Sequence, residues 1–553
     1  MEKRAVIAFA LSLVILLFWD YYFGLFRSPD TKSSKESAPS GPVSTPSQPA
    51  QVPVGSPFPK VLPQGHLKLD QHFPSWDIDS PLFSMQLLAP GARIHSMELK
   101  KYRQEVSQDS PPMQMVTTRS TGYLPLAVDL LHHTDWQLST RPFMSQSPRQ
   151  IQLNSDSPPA TLSLHTEISG QLRLTKAFVF QPDTYFADLE IHLENLSPTA
   201  LTDQLGISLY FQPYSHPSTE SSYNQSRLSS HEKGSITNHS IGDLQKKDLV
   251  LKGPIDWIGY ENNYFIQALL PIEKQGYQII SKILNPQEGL LQVVYLTEPF
   301  QIEGGQTKKV PLRIYMGPKE LTHLAKAEHQ LSECVDYGWF TFLAKPLLIG
   351  MNWVFRYTHN YGIAIILLTI VIKIIFWPLT QKSFESMQTM KKIQPKIAQI
   401  REKYKNDREK LNQELMGIYR TYKVNPLGGC LPMLLQIPVF FALYRMLNGA
   451  IELRHEPFML WINDLTAPDR LHIGVPIPYL DGIPVLTILM GISMFVQQKM
   501  TPTTGDPRQD KMMLFMPVVF TVFFVNFPSG LVLYWLVNNI LSIIQQYWIN
   551  RRT

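Results

Sequence analysis

Apolar residues crowd two stretches of the chain, positions 5–26 and 361–550, and are diluted between 27 and 330. The first run, Ala5–Trp19, follows Lys3 and Arg4 and continues into the aromatic Asp20-Tyr21-Tyr22-Phe23-Gly24-Leu25-Phe26. A cleavable leader needs small residues just past its apolar core, and bulky rings stand there instead. The pattern predicts a retained signal anchor over 1–27, with its start inside the cell and its aromatic tail at the far interface. Residues 28–59 hold eight Ser and eight Pro and almost no large apolar side chain, so they read as an extended tether.

From 60 to 330 the period changes to two. Leu162, Leu164, Thr166 and Ile168 alternate with polar neighbours, as do Leu172 with Leu174, and Leu189 with Ile191 and Leu193. Such alternation, broken by Gly, Pro, Asn and Asp, predicts antiparallel strands with one wet face, built into one large β-sandwich. His132, His133, His165 and His192 are scattered without ligand spacing, and no metal site is expected.

Residues 331–360 predict an aromatic, amphipathic interfacial helix. Five apolar segments follow, at about 361–379, 431–450, 483–500, 512–527 and 530–549, each near the length that crosses a bilayer. With the anchor they make six spans, and 361–553 forms a five-helix core. Eleven Lys and Arg lie in the 381–430 connection, against Arg454 and Arg470 alone in 451–482. Positive-inside logic places 381–430, 501–511 and both termini in the cytoplasm and the β region outside. Within the basic connection two apolar stripes, Met387 to Tyr404 and Leu411 to Tyr422, flank Asn406-Asp407 and predict a helical hairpin over 381–424. A solvated hairpin beside anionic lipid heads and a docking surface fit this pattern equally well.

Composition narrows the function. Charged residues make up 17% and the net charge is only +5, which argues against bulk nucleic-acid affinity. Two cysteines exclude a disulfide scaffold. Against the apolar background the polar residues stand out. Lys373 lies inside LLTIVIKIIFWP, with Thr369 one turn away. Ser493 and Gln497 are four apart, as are Tyr534 and Asn538, with Trp535 and Asn539 beside them, and Gln436 lies early in its segment. For Lys373, snorkelling toward the cytoplasm and a functional role stand level on physics alone. Together these side chains predict a hydrated cavity facing the cytoplasm, holding one cation and no acidic partner. That combination disfavours an ordinary cation transporter.

The stretch Asn425-Pro426-Leu427-Gly428-Gly429-Cys430-Leu431-Pro432 with MLLQIPVFFALYRML closely resembles the YidC membrane-protein insertase family. So do Gln498-Lys499-Met500-Thr501-Pro502-Thr503-Thr504, Phe527-Pro528-Ser529-Gly530-Leu531-Val532-Leu533-Tyr534 and VDYGWFTFLAKPL. The anchor, tether and β region resemble the Gram-negative form. The resemblance implies a polytopic α-helical inner-membrane protein with six transmembrane helices and a large periplasmic all-β supersandwich domain. It implies insertion of nascent membrane proteins, alone or with the Sec translocon, without catalysis, cofactor or metal. Lys373 matches the groove position where the family commonly has Arg, and Thr369 and Trp535 match positions near substrate contacts. Tyr534, Gln436, Ser493, Gln497, Asn538 and Asn539 join the groove by helix phase. Implied partners are nascent chains, the Sec translocon, membrane lipids, and the ribosome and signal recognition particle receptor at the cytoplasmic loops. No sequence-specific nucleic acid is expected. Two rival readings are a membrane-anchored carbohydrate-active enzyme and a solute transporter.

Overall fold

The computed structural model describes residues 65–68, 73–107, 109–214, 226–405, 407–422, 431–474, 482–501 and 507–552. The anchor and tether expected at 1–59, and the motif residues Asn425 to Cys430 and Pro502 to Thr504, lie outside the described residues.

Residues 75–318 form sheets of eight, five, five and two strands. The eight-stranded sheet runs Ser235–His239, Arg227–Glu232, Ile255–Glu261, Phe265–Pro271, Thr307–Pro318, Phe186–Asn195, Leu172–Phe180 and Ala160–Ile168. Its register places Leu174 opposite Leu193 and Ile191 opposite Val310. Among the described strands every pairing is antiparallel except Ser75–Asp79 with Gln150–Gln152. The outer strands keep the period-two pattern, and Leu172–Phe180 alternates buried with half-buried positions. Expecting one wet face throughout is corrected for Leu205–Phe211, Phe265–Pro271 and Leu290–Thr297, which are buried at every position. These strands lie at the centre of stacked layers, so both of their faces are covered.

Two short helices, α1 (Ile241–Lys246) and α2 (Leu321–Lys326), accompany the sheets. The chain then enters α3 (Thr341–Thr358), which buries Ala344, Leu347, Leu348 and Met351. Its opposite face exposes Phe342, Ile349, Trp353 and Tyr357, with Trp339 just ahead of it 94% exposed. The exposed face is therefore aromatic and apolar. His359, at φ 51°, ends α3, and Asn360 Oδ1 accepts from the Ile363 amide at 3.0 Å to start the next helix.

That helix, α4 (Tyr361–Lys403), runs 43 residues without a break. The helix continues past the end of the span expected at 379, because one proline removes one backbone bond and contacts such as Thr380 with Gln545 hold the segment beyond it. Asp407 caps α5 (Arg408–Thr421) by accepting from the Lys410 amide at 3.1 Å. Ile393 and Ile397 of α4 pack against Leu415, Ile418 and Tyr419 of α5. Met387 leaves that stripe and packs with Phe384 and Ile549 instead. The remaining helices are α6 (Leu431–Gly449), α7 (Val485–Met500), α8 (Pro507–Phe524) and α9 (Ser529–Arg552).

Among the described residues, α4 is the one helix whose length and composition suffice to cross a membrane, and Val485–Met500 and Met513–Phe524 are shorter apolar stretches. The bundle is inverted relative to a water-soluble protein. Ile374, Ile375, Ile492, Phe515, Val522 and Ile544 are each more than half exposed, while Thr369, Thr380, Ser493, Asn539, Ser542 and Gln545 are buried. An apolar exterior with polar side chains turned inward, among a packed apolar core, is the arrangement that hydrocarbon, not water, favours.

Candidate functional site

Helix α9 organises the interior. At roughly 100° per residue, Tyr534, Trp535, Asn538, Asn539, Ser542, Gln545 and Gln546 fall within an arc of about 140°. One edge of this arc meets α4. The Lys373 ammonium donates to Ser542 Oγ at 2.6 Å and to Asn538 Oδ1 at 3.4 Å. Ser542 in turn donates to the Asn538 carbonyl at 2.8 Å. Two turns on, Gln545 Nε2 donates to Thr380 Oγ1 at 3.0 Å. The other edge meets α7, where Asn539 Nδ2 donates to Ser493 Oγ at 3.0 Å and Gln546 Nε2 to the Met500 carbonyl at 2.9 Å.

The sequence-derived residues thus gather in pairs along α9 rather than as one open cluster. Gln436 Nε2 of α6 donates to the Tyr534 hydroxyl at 3.0 Å. Thr369 is buried and donates to its own helix, at Ile365 O, 2.6 Å away. Trp535 sits among rings, 5.1 Å from Phe440 and 5.3 Å from Phe524. Gln497 is half-buried one turn past Ser493, and Thr501 bonds to its carbonyl oxygen at 3.0 Å. Ser542, Thr380, Gln545 and Gln546 were missed. Continuing the spacing of four from Asn538 would have found Ser542.

Lys373 has turned toward α9, where both of its hydrogen-bond partners lie, rather than along its own helix. Among the described residues no carboxylate lies within ion-pair distance of it. A mid-bilayer cation costs about 2.5–3.5 kcal/mol. Hydrogen bonds between membrane helices average about 0.6 kcal/mol, so its two bonds offset less than half of that cost. Packing stability does not account for a lysine here.

In the β domain, His132 Nδ1 and His133 Nδ1 lie 3.1 and 2.6 Å from the two oxygens of the buried Asp203, and His192 pairs with Glu190. Among the described residues no group of three or more His, Cys, Asp or Glu is placed to hold a metal ion.

Comparisons with known proteins agree along the whole chain. Residues 353–553 match the family model described as 60Kd inner membrane protein, and 75–349 match the one described as YidC periplasmic domain. The chain is 64% identical over 552 residues to the membrane protein insertase YidC of Syntrophobacter fumaroxidans, covering 100% of both chains. It is 38% identical over 564 residues to the same-named protein of Syntrophus aciditrophicus, again covering 100% of both. An active YidC insertase crystal structure is similar over 87% of this chain and 94% of that one, at 17% identity and a TM-score of 0.39. A galactose mutarotase related enzyme from Lactobacillus acidophilus is similar over 44% of this chain and 97% of its own, at 8% identity and a TM-score of 0.32.

Proposed function

The chain belongs to the YidC family of membrane protein insertases, and from that premise we propose that it inserts nascent proteins into the inner membrane by way of the polar arc on α9, with Lys373 as its working charge. The observation that carries this reading is the Lys373 ammonium held on Ser542 and Asn538 inside a bundle whose outside is apolar. Its bonds are to neutral oxygens, so an arriving carboxylate can replace them and bind more strongly, because charge-assisted bonds exceed neutral ones. A polar tail passing from the cytoplasm exchanges water for the arc's hydroxyls and amides instead of for hydrocarbon. The apolar part of the client then partitions into lipid beside α6 and α8, driven by burial of apolar surface.

In this reading the β domain is periplasmic, both termini are cytoplasmic, and the anchor with α4, α6, α7, α8 and α9 gives six spans. The aromatic face of α3 lies in the outer headgroup layer, where amphipathic rings are favoured. The basic hairpin of α4 and α5 is the contact for the ribosome or targeting receptor, and the Sec translocon is the lateral partner for larger clients. The full-length relatives lend no support to a carbohydrate-active enzyme or a solute transporter, since their name is membrane protein insertase.

Reconstituted vesicles with a short single-span client test the role of Lys373. Lys373→Arg is expected to retain insertion, and Lys373→Glu to impair clients with acidic tails while sparing those with neutral tails. Equal insertion of both client types by all three proteins would reject a charge-based groove.

A further inference from the structure

The two acceptors of Lys373 stand one turn apart on α9, and they hold it unequally. Ser542 Oγ takes the short bond, at 2.6 Å, whereas Asn538 Oδ1, at 3.4 Å, lies near the limit of hydrogen bonding. Ser542 is buried, and its own hydrogen is already given to the Asn538 carbonyl at 2.8 Å. With that hydrogen spent, its hydroxyl faces Lys373 as an acceptor. An ammonium carries three hydrogens, and among the described residues the third has no acceptor within bonding distance.

The other polar side chains of the interior are engaged elsewhere. Thr380 bonds with Gln545, Ser493 with Asn539, Gln436 with Tyr534, and Thr369 with the Ile365 carbonyl. Ser542 is therefore the group that a client must displace to take Lys373 over. A client amide or hydroxyl brings only another neutral oxygen to that exchange. A carboxylate adds the attraction of a second charge, which is screened far less inside an apolar bundle than in water.

We infer that Ser542 is a specificity-determining residue: its neutral oxygen occupies Lys373 at rest and sets the strength that a client group must exceed to capture the ammonium. Carboxylates pass that threshold and amides do not. This rests on Lys373 being the working charge of insertion, and adds what the client competes with. Two substitutions push in opposite directions. Ser542→Ala removes the competitor, and Ser542→Asp replaces it with a carboxylate held beside Lys373.

The test uses the full chain in proteoliposomes with two short single-span clients, identical except that one tail carries Asp and Glu and the other Asn and Gln. Insertion is measured over a range of client concentrations, which separates the half-saturating concentration from the maximal rate. For the acidic client, Ser542→Ala is expected to lower the half-saturating concentration several-fold and Ser542→Asp to raise it several-fold, with much smaller shifts for the amide client. Shifts of the same sign for both substitutions, or equal shifts for the two clients, would show that Ser542 only packs α9 and would overturn the inference. Lys373→Gln tests the premise separately. If it removes the preference for the acidic client while neither Ser542 substitution changes that preference, the role of Ser542 falls and that of Lys373 stands. If it leaves the preference intact, both fall. In the Lys373→Gln background Ser542→Ala is expected to have no further effect on the acidic client, and a shift that persists there would overturn the inference.

Discussion

Two buried lysines show how one residue type takes two meanings. Lys176 in the β domain is fully buried and donates to Gly91 O at 2.5 Å, Leu126 O at 2.6 Å and Ala92 O at 3.4 Å. Burial, and then the neighbouring Arg93, push its ammonium well below the usual lysine range. Its three carbonyl partners lie just ahead of the strands Arg93–Arg103 and Ala127–Leu130 and hold those two entries to the strand that carries it, so its role is structural. Lys176→Met is expected to destabilise the β domain by about 1–3 kcal/mol for each carbonyl left without a donor, read as a lower thermal transition of the detergent-solubilised chain. Lys373 is half-buried, bonds only two side-chain oxygens of one neighbouring helix, and is placed to exchange them. The difference between the two was legible for Lys373, because a cation interrupts an apolar run. It was not legible for Lys176, which sits between the core residues Leu174 and Phe178 in an alternating strand, where its carbonyl partners come from segments distant in sequence.

At the scale of elements, what was readable depended on whether the signal was local. The Asp407 cap and the Ile393–Ile397 stripe are local and could be read from spacing. The continuation of α4 through Pro378 could not, since proline lowers helix propensity but tertiary contacts such as Thr380 with Gln545 decide the outcome. Ser542, Gln545 and Thr380 escaped notice because single Ser, Thr and Gln residues within helices are common, and only their partners set them apart. The contacts of the segment Ala450–Leu471 were invisible for another reason: they join groups distant in sequence, such as Ser529 N to Ala467 O and Asp469 to the Leu486 amide. One of its acidic groups gives it a measurable signature. Burial pushes the Glu452 carboxyl up to about 7, with Glu320 adding to the effect. Between its ordinary value and 7 the folded state holds a proton that the unfolded chain has lost, so stability falls as pH rises across that window. Thermal unfolding is expected to be higher at pH 5 than at pH 8 in the wild type, and Glu452→Gln is expected to flatten that dependence. An equal pH slope in both proteins would place the dependence elsewhere.

For the molecule as a whole, the division of labour is physical. The β domain buries its layers in the manner of a water-soluble protein, whereas the helical part turns apolar side chains outward and keeps its polar groups for α9. Removing 75–318 is expected to leave insertion of a short single-span client largely intact, because the arc on α9 makes its bonds entirely within the helical part. Loss of insertion in that deletion, with the remaining helices folded by circular dichroism, would show that the β domain takes part in insertion itself.

Water reaching the arc from the cytoplasm, and from that side only, is the condition on which insertion through Lys373 depends. Single cysteines at positions 373 and 542, placed in a cysteine-free background, measure it directly in inverted and right-side-out membrane vesicles with a membrane-impermeant maleimide. Both positions are expected to react from the cytoplasmic face, faster than a cysteine at the lipid-facing Ile374, and to stay unreactive from the outer face. Reaction no faster than at position 374, or equal reaction from both faces, would contradict a half-open polar groove.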